Sequence, residues 1–442
     1  MSLKIQFLGA AETVTGSSYL VTTSKSRFIV DCGLFQGRDV EYRNYENFEF
    51  DPRTIDFVIV THAHIDHIGL LPKLVKGGFA GPIYLTGKTA ALSYHLLLDA
   101  AKIQEKNYAR KLSPHMLYDT TDSLKTIQLF ESRNYDEPIS TENNIEIVFE
   151  EVGHVLGAAS VKVKVDEKTI YFSGDIGREK HPFLRSFDKR ERSAEVVIME
   201  ALYGGQVHPD RDKTEQEFLE YIILTLARGG NVIIPAFALQ RTQEILNILR
   251  RVYTDRRIGV FPPVFLDSPL AISMTNEYTQ SMFANDESGS ELFDFEKVRY
   301  IMRPSKAIKR TKGPKIIIAG SGMCEGGRIM GHLIRNLPDP KNGIAIVGFQ
   351  AEDTLGRTLT EEPDEVTINK KKVRIRAEIK QFYGFSAHGD TNDIQAWLNR
   401  FDKKKLEKVF LVHAEPERME KFDEINANKP IYIPKWKEEV EV

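Results

Sequence analysis

The feature that most restricts the fold is the stretch THAHIDHIGL at 61–70, which directly follows the apolar run FVIV. It places four side chains of ligand type, His62, His64, Asp66 and His67, within one short loop. Histidines two positions apart point to different sides of a helix, whereas a turn that leaves a strand can direct them to one point. Imidazole and carboxylate groups suit Zn²⁺, and four in one loop could serve two ions better than one. The stretch therefore predicts a metal-binding loop that needs further ligands from elsewhere in the chain.

Candidates for those further ligands follow other segments of strand character. Asp31 follows SRFIV, His154 follows IEIVFEEVG, Asp175 follows TIYFSG, and His413 follows KVFLV. His154 or His413 taken alone is better explained by a structural role, but the joint pattern is much more specific and favours ligands. The remaining histidines lie in unpatterned surroundings and are interpreted as surface or hydrogen-bonded residues: His95, His115, His181, His208 and His332.

Composition places the chain among ordered globular proteins. With 442 residues, 41% hydrophobic and 28% charged, it is long enough for one large domain with an insertion or for two domains. We find no secretory signal, no apolar run of membrane-span length and only two cysteines, Cys32 and Cys324, so we expect a cytoplasmic protein without membrane contact. Since the net charge is −3, nucleic-acid binding would need local basic runs, and 309–315, 369–376 and 403–405 are candidates unless they are simply solvated faces.

The order of the predicted elements changes along the chain. Up to Glu200 it reads as strands, then helical patterns at 88–105 and 113–130, then strands again. Beyond Tyr203, helices alternate with short apolar strands such as NVIIPAF and KIIIAGSGM, which indicates a parallel α/β unit. The charged stretch 361–372, EEPDEVTINKKK, is either an exposed hairpin or a domain boundary.

The pattern HxHxDH followed by strand-end His, Asp and His resembles the metallo-β-lactamase fold superfamily. The resemblance implies an αββα sandwich that gathers these loops at one edge of its two sheets and holds two Zn²⁺ per chain. The ligands it implies are His62, His64 and His154 for one ion and Asp66, His67 and His413 for the other. Asp175 would bridge both ions, and Asp31 would support the site through hydrogen bonds.

A narrower resemblance lies in MEALYGG, IPAFALQRTQE, DSPLA, GSGMCEGGR, GFQAEDTLGR, FSAHGD and VHAEPE. Together these pieces resemble the β-CASP nucleases, in which a parallel α/β domain is inserted into the metallo-β-lactamase fold. The implied division is 1–203 and 366–442 for the metallo-β-lactamase domain and 204–365 for the β-CASP domain. Glu200, His388 and His413 match the three β-CASP motifs, and histidine at the third favours RNA processing, since DNA-repair relatives usually have valine there. The whole chain is similar to stand-alone prokaryotic relatives of the pre-mRNA 3′-end processing endonuclease subunit.

This resemblance implies a zinc-dependent ribonuclease that acts on single-stranded RNA and leaves 5′-phosphate ends, endonucleolytically or as a 5′→3′ exonuclease. A hydroxide between the two metals would attack phosphorus, because coordination lowers the pKa of water to about 7. Asp66 and Asp175 would serve catalysis as well as metal binding. His388 would give the departing 3′ oxygen its proton or contact the scissile phosphate, with Glu200 orienting it.

Other residues are candidates for binding substrate phosphates through backbone N–H groups, a helix N-terminus near 327, or guanidinium groups. They are Ser386, Ala387, Arg241, Gly327, Arg328 and Arg357. A structural role for the glycine-rich turn GSGMCEGGR is about as well supported. One departure is that Ala201 and Leu202 follow Glu200 where relatives commonly have serine or threonine, which weakens the expectation of polar contacts there.

Two other functions compete with the ribonuclease. A small-ester or thioester hydrolase would typically lack the inserted domain and His388. A catalytically inactive RNA-binding scaffold would have lost zinc ligands, whereas this chain keeps all seven candidates. The resemblance also implies a homodimer, for which the residues themselves carry no signal.

Overall fold

A computed structural model describes residues 3–37, 39–282, 292–304 and 306–442. The chain divides into two compact units, the first comprising 1–207 and 387–442 and the second 208–386. The domain boundaries at 203/204 and 365/366 stay a prediction. The boundaries between the compact units lie at 207/208 and 386/387. The later boundary follows the strand Glu378–Gln381, because this strand pairs with Gly343–Ile346 of the second unit. Within the described residues, each helix is too short or too polar to cross a membrane.

Strands and helices are numbered along the chain. The strands are β1 Lys4–Gly9, β2 Ser18–Thr22, β3 Arg27–Val30, β4 Phe57–Ile59, β5 Ile83–Thr86, β6 Phe130–Arg133, β7 Ile139–Ser140, β8 Glu146–Glu151, β9 Ala159–Val165, β10 Lys168–Phe172, β11 Val196–Glu200, β12 Val232–Pro235, β13 Val264–Leu266, β14 Val298–Tyr300, β15 Ile316–Ala319, β16 Gly343–Ile346, β17 Glu365–Ile368, β18 Lys371–Arg374, β19 Glu378–Gln381, β20 Lys408–Val412, β21 Ile431–Tyr432 and β22 Glu439–Glu441. The α-helices are α1 Ile65–Ile68, α2 Leu71–Lys76, α3 Gly87–Ala109, α4 Thr120–Gln128, α5 Arg211–Ala227, α6 Arg241–Thr254, α7 Pro269–Met282, α8 Ala307–Arg310, α9 Ile329–Asn336, α10 Leu355–Thr360, α11 Thr391–Leu398 and α12 Pro416–Ile425.

The first unit contains two seven-stranded sheets, in the orders β22-β1-β2-β3-β4-β5-β6 and β21-β20-β11-β10-β9-β8-β7. Each sheet joins an antiparallel part to a parallel part, and the parallel strands include β3 to β6 in one sheet and β10, β11, β20 and β21 in the other. β11, VVIME, is buried at all five positions because it lies between two parallel neighbours and is covered on both faces. β1 instead alternates between half-buried and buried residues.

One hydrophobic core lies between the two sheets, where side chains such as Phe7 and Phe410 meet with ring centroids 4.9 Å apart. A second core lies on the outer face of the first sheet, where α1, α2 and α3 contribute residues such as Leu71 and Leu97. On the other side, Tyr171 of β10 packs against Phe401, just after α11. The layers follow the order helix, sheet, sheet, helix, as expected for an αββα sandwich.

The second unit contains a six-stranded parallel sheet in the order β14-β13-β15-β12-β16-β19. The apolar run NVIIPAF contains β12 and is flanked by helices α5 and α6, as the predicted alternation of helices and apolar strands requires. This confirms the parallel α/β unit. The helix predicted from the pattern at 113–130 is shorter in the structure. Helix α4 occupies only Thr120–Gln128, and it begins there because the side chain of Asp119 caps its first turn.

Of the two alternatives for the charged stretch at 361–372, an exposed hairpin or a domain boundary, the structure shows the hairpin. Its strands β17 and β18 form a separate two-stranded antiparallel sheet.

Candidate metal centre

The stretch THAHIDHIGL leaves β4 and turns directly into α1. His64, with φ −61° and ψ 146°, precedes the first turn of this short helix, which carries Asp66 and His67. The turn at Gly33 packs against it so closely that a Cβ on Gly33 would lie 1.6 Å from the carbonyl oxygen of Asp66. The extended-to-helical change brings His62, His64, Asp66 and His67 into one region, as the spacing predicted.

Four buried or half-buried side chains form the first ligand group. His64 Nδ1 lies 3.1 Å from both His62 Nε2 and His154 Nε2. Asp175 Oδ2 lies 3.2 Å from His62 Nε2 and 3.4 Å from His154 Nε2. Ligands about 2.0–2.1 Å from a tetrahedral metal lie about 3.3–3.4 Å from one another. The four donors have this spacing and fit one ion.

The second ligand group shares the same aspartate. Donor atoms of Asp66, His67 and His413 lie within 4.8 Å of one another. The other oxygen of Asp175, Oδ1, is 3.3 Å from His67 Nε2 and 3.6 Å from His413 Nε2. The two oxygens of Asp175 therefore face different groups of histidines, which is the arrangement that a bridging carboxylate requires.

Electrostatics in the first group favour neutral imidazoles, the form that binds metal. Burial, followed by repulsion from neighbouring histidines, holds the pKa of His64 and of His154 well below the usual value. Burial raises the pKa of the Asp175 carboxyl, but His413, His67 and other histidines outweigh it and hold the pKa well below its usual range. The set combines a carboxylate that stays ionised with imidazole nitrogens, and this donor chemistry fits zinc.

Asp31 contacts this cluster from behind. Its Oδ1 accepts the Thr61 N–H at 2.8 Å, and its Oδ2 accepts the Thr61 hydroxyl at 2.8 Å. His67 Nδ1 lies 2.7 Å from the same Oδ2. A carboxylate accepts, so this contact places a proton on His67 Nδ1 and leaves Nε2 facing the cluster. Burial lowers the pKa of His67, but the carboxylates of Asp175 and Asp31 outweigh it and raise the pKa well above its usual value.

Two hydroxyls at the site were missed by the sequence reasoning. Ser17 Oγ is buried and lies 3.3 Å from both His67 Nε2 and His413 Nδ1. Thr61 Oγ1 lies 3.1 Å from His62 Nδ1. Thr61 could have been found from its place between the strand and the first histidine, whereas nothing in TGSSYL distinguishes Ser17.

His388 reaches the cluster through backbone pairing. The backbone of His388 forms a β-bridge with that of Gly177. The N–H of Gly389 donates at 2.7 Å to the carbonyl of Ile176, the residue that follows Asp175 in the chain. His388 Nδ1 lies 3.2 Å from Glu200 Oε1, and its Nε2 lies 3.9 Å from Asp175 Oδ2.

The carboxylate of Glu200 is fixed at the end of β11, since Oε1 also accepts the Ile176 N–H at 2.5 Å. Burial lowers the pKa of His388, but the carboxylates of Glu200 and Asp175 outweigh it, and the pKa is raised. The pair therefore forms a hydrogen-bonded histidine and carboxylate that faces the metal ligands.

The predicted phosphate-binding residues are divided between the two compact units. Ala387 belongs to the first unit, beside His388, whereas the others lie in the second unit: Ser386, Arg241, Gly327, Arg328 and Arg357. Arg328 Nη1 donates to Asp267 Oδ1 at 2.6 Å and to the Ile301 carbonyl at 2.7 Å, so its guanidinium is engaged within the fold. Buried Arg241 pairs with Glu244, and exposed Arg357 lies 3.3 Å from Glu361.

Gly327 has a structural requirement of its own. Its φ is +72°, and a Cβ there would lie 2.4 Å from the Gly320 carbonyl oxygen. This glycine allows the tight turn that precedes α9.

The sandwich and its cluster of histidines and aspartates define a metallo-hydrolase. Three family models match the chain: the metallo-beta-lactamase superfamily over 11–222, the Beta-Casp domain over 242–359, and the Zn-dependent metallo-hydrolase RNA specificity domain over 372–434. The chain belongs to the β-CASP family of metallo-β-lactamase hydrolases, and the fold predicted from the sequence is confirmed.

Several curated relatives span nearly the whole chain. "Ribonuclease TTHA0252" of Thermus thermophilus is 34% identical over 94% of each chain. An "RNase J-like protein" of Methanocaldococcus jannaschii is 31% identical over 93% of this chain and 92% of its own length. "Transcription termination factor FttA" of the same organism is 30% identical over 98% of this chain and 70% of its own length.

A solved structure of a protein of unknown function from Enterococcus faecalis V583 also matches. It covers all of both chains with a TM-score of 0.57 and 12% identity, which indicates a shared fold.

Proposed function

We propose that this protein is a zinc-dependent ribonuclease that hydrolyses phosphodiester bonds of single-stranded RNA internally and leaves 5′-phosphate ends. The observation that carries the proposal is the position of Asp175. Its two carboxylate oxygens face two groups of histidines, and the His388–Glu200 pair faces the same carboxylate. Such a site can hold two metals and place a proton donor beside them.

The zinc ions would be held by the two groups described above, with Asp175 between them. Bound zinc supplies Lewis acidity, which makes water a nucleophile near neutral pH and offsets negative charge on a phosphoryl group. The chain itself fixes the ligands, since Asp31 holds His67 in one tautomer and orientation.

His388 is proposed to hold the proton that the departing 3′ oxygen needs. Glu200 engages Nδ1, so Nε2 is the nitrogen that faces Asp175 and the metal ligands. The carboxylate of Glu200 favours the protonated imidazolium and fixes the orientation of the ring. A protonated Nε2 beside the metals can give its proton to the leaving group or bind the phosphate.

RNA is favoured over other substrates by three observations. The parallel α/β unit distinguishes the chain from small-ester hydrolases of the same superfamily. Histidine rather than valine occupies position 413. A relative that matches over 94% of this chain and 94% of its own length carries the name ribonuclease. An inactive scaffold is disfavoured because all seven candidate ligands converge on one cluster in the structure.

Two variants test the division of roles. Asp175→Ala should lose zinc and RNA cleavage together, because both ligand groups include this side chain. His388→Ala should keep its zinc, measured by mass spectrometry of the metal content, and lose most cleavage. Full activity of His388→Ala on RNA would remove this histidine from the mechanism.

A circular single-stranded RNA tests the internal mode of cleavage, because an exonuclease finds no end on it. The zinc-loaded protein should convert the circle to linear products whose 5′-phosphate ends can be ligated directly to an adapter. If linear RNA is cleaved while the circle stays intact, the protein does not cut internally. If the 5′ ends of the products must be phosphorylated before they can be ligated, the proposed hydrolysis to 5′-phosphate ends is refuted.

A further inference from the structure

A β-hairpin in the second unit, formed by β17 and β18, carries a basic tip that the metal centre does not explain. The two strands pair from Glu365↔Arg374 to Ile368↔Lys371, and the connecting residues are Asn369 and Lys370. Both connecting residues have positive φ, 51° and 65°. Two such residues are typical of a type I′ turn, which fixes the register and twist of a two-residue hairpin. We call this element, residues 365–374, the basic ribbon.

The basic ribbon is anchored through one face. Val366, Ile368 and Val373 are buried and belong to the hydrophobic core of the second unit. The other face, with Thr367 and Lys372, is exposed. Since its buried face is held by the core, the ribbon presents its exposed side chains in a fixed arrangement.

The basic ribbon carries acidic side chains only at its base, where basic side chains lie beside them. Acidic Glu361, Glu362 and Asp364 precede it at its base, and Glu365 pairs with Lys372 at 2.9 Å. The exposed cations are Lys370, Lys371 and Lys372 at or near the tip, and Arg374 at the end of β18, opposite Glu365. Within the described residues, no ion pair joins Lys370, Lys371 or Arg374 to a carboxylate. The tip is thus an exposed cationic surface on a chain of net charge −3.

The other two basic runs are arranged differently. In the run 309–315, Lys315 is buried and donates to the Gly313 carbonyl at 2.8 Å. The run 403–405 lies on an exposed turn beside Asp402. Of the three runs predicted from the sequence, only 369–376 is displayed on a preformed β-ribbon.

We propose that the basic ribbon binds the phosphate backbone of RNA, a role that rests on the ribonuclease function proposed above. Segment 365–376 has no aromatic side chain on which a base could stack. Its lysines and arginines can neutralise phosphates, so binding there depends on salt and little on sequence. The ribbon is an additional RNA-binding surface outside the metal ligands.

The test compares two variants with equal loss of charge. One replaces Lys370, Lys371 and Arg374 with glutamine, and the matched control replaces Lys403, Lys404 and Lys405 with glutamine. The affinity of the zinc-loaded proteins for a fluorescent single-stranded phosphorothioate RNA, which resists hydrolysis, is measured by anisotropy from low to high salt. Hydrolysis of bis(p-nitrophenyl) phosphate reports on the metal centre separately.

The ribbon variant should show a salt slope smaller by about 2, because each lost phosphate contact on single strands removes about 0.7. If the two proteins bind equally at 1 M salt, the variant should bind about 100-fold more weakly than wild type at 0.1 M, while the control and the hydrolysis of the small diester stay unchanged.

Three outcomes would overturn the proposal. If wild type cleaves RNA but the ribbon variant binds it like the control, the ribbon has no role in binding while the ribonuclease remains. If that variant instead self-associates at lower concentration with unchanged RNA affinity, the lysines serve to block edge-to-edge strand pairing. If wild type neither binds nor cleaves RNA, the proposed function itself fails, and the ribbon's role with it.

Discussion

Replacing Asp31 with asparagine isolates the contribution of one carboxylate to the metal centre. Asparagine has nearly the same shape and tolerates the positive φ of 58° at this position, so the backbone has no reason to move. With its amide oxygen in place of Oδ1, the Thr61 N–H can still be accepted at 2.8 Å. The amide nitrogen in place of Oδ2 can only donate, and it would face the proton on His67 Nδ1.

His67 can relieve this conflict by moving its proton to Nε2, the nitrogen that lies 3.3 Å from Asp175 Oδ1. That nitrogen then has no lone pair for a metal. Loss of such a supporting carboxylate typically lowers metal affinity by 10–100-fold, or about 1.4–2.7 kcal/mol. We expect Asp31→Asn to weaken zinc binding by this amount, measured by competition with a chromophoric chelator.

Asp56→Asn is the matched control for this measurement. Asp56 also accepts a hydroxyl, from Ser26 at 2.6 Å, and a backbone N–H, from Arg27 at 2.8 Å, but contacts none of the candidate ligands. Its variant should bind zinc like wild type. Equal zinc affinity of Asp31→Asn and Asp56→Asn would refute the inference that Asp31 sets the tautomer of His67.

Two further predictions concern buried charges away from the metal. Burial raises the pKa of Asp267, but hydrogen bonds from His332 and Arg328 outweigh it and lower the pKa overall. Asp267→Asn should therefore lower the free energy of unfolding by about 2–3 kcal/mol at neutral pH. This difference from wild type, measured by urea unfolding, should shrink as the pH falls below about 4 and through the lowered pKa of Asp267. A difference that does not depend on pH would contradict this. In the wild-type structure the fully buried guanidinium of Arg192 lies 2.8 Å from the Glu150 carboxylate. Glu150→Gln should lower the free energy of unfolding by about 3–5 kcal/mol, because it leaves this guanidinium without its counter-charge. A melting temperature equal to that of wild type would show that Arg192 is compensated elsewhere.

The sequence was most informative where chemistry and local structure coincide. His62, His64, Asp66 and His67 follow an apolar strand, and a short loop can only place them near one another. The parallel sheet of the second unit could be predicted because its strands are short, fully apolar and separated by helices. These are local patterns that need no knowledge of the partner strands.

The sequence was less informative where contacts between distant residues decide the structure. Strand β19 joins the second unit by pairing with β16, and such pairing leaves no mark in its own residues. The ion pair between Arg328 and Asp267, far apart in the chain, likewise has no local signal in the sequence. Ser17 joins the metal centre only because its loop folds back on the site.

The most direct measurement of the proposed function is a zinc titration of the metal-free protein, with cleavage of a single-stranded RNA followed at each addition. Cleavage should be absent without zinc and should rise to a plateau at two equivalents per chain, because Asp175 faces two separate ligand groups. Cleavage that is equally fast in the metal-free protein, or RNA that stays intact at every zinc concentration, would contradict the proposed zinc-dependent ribonuclease.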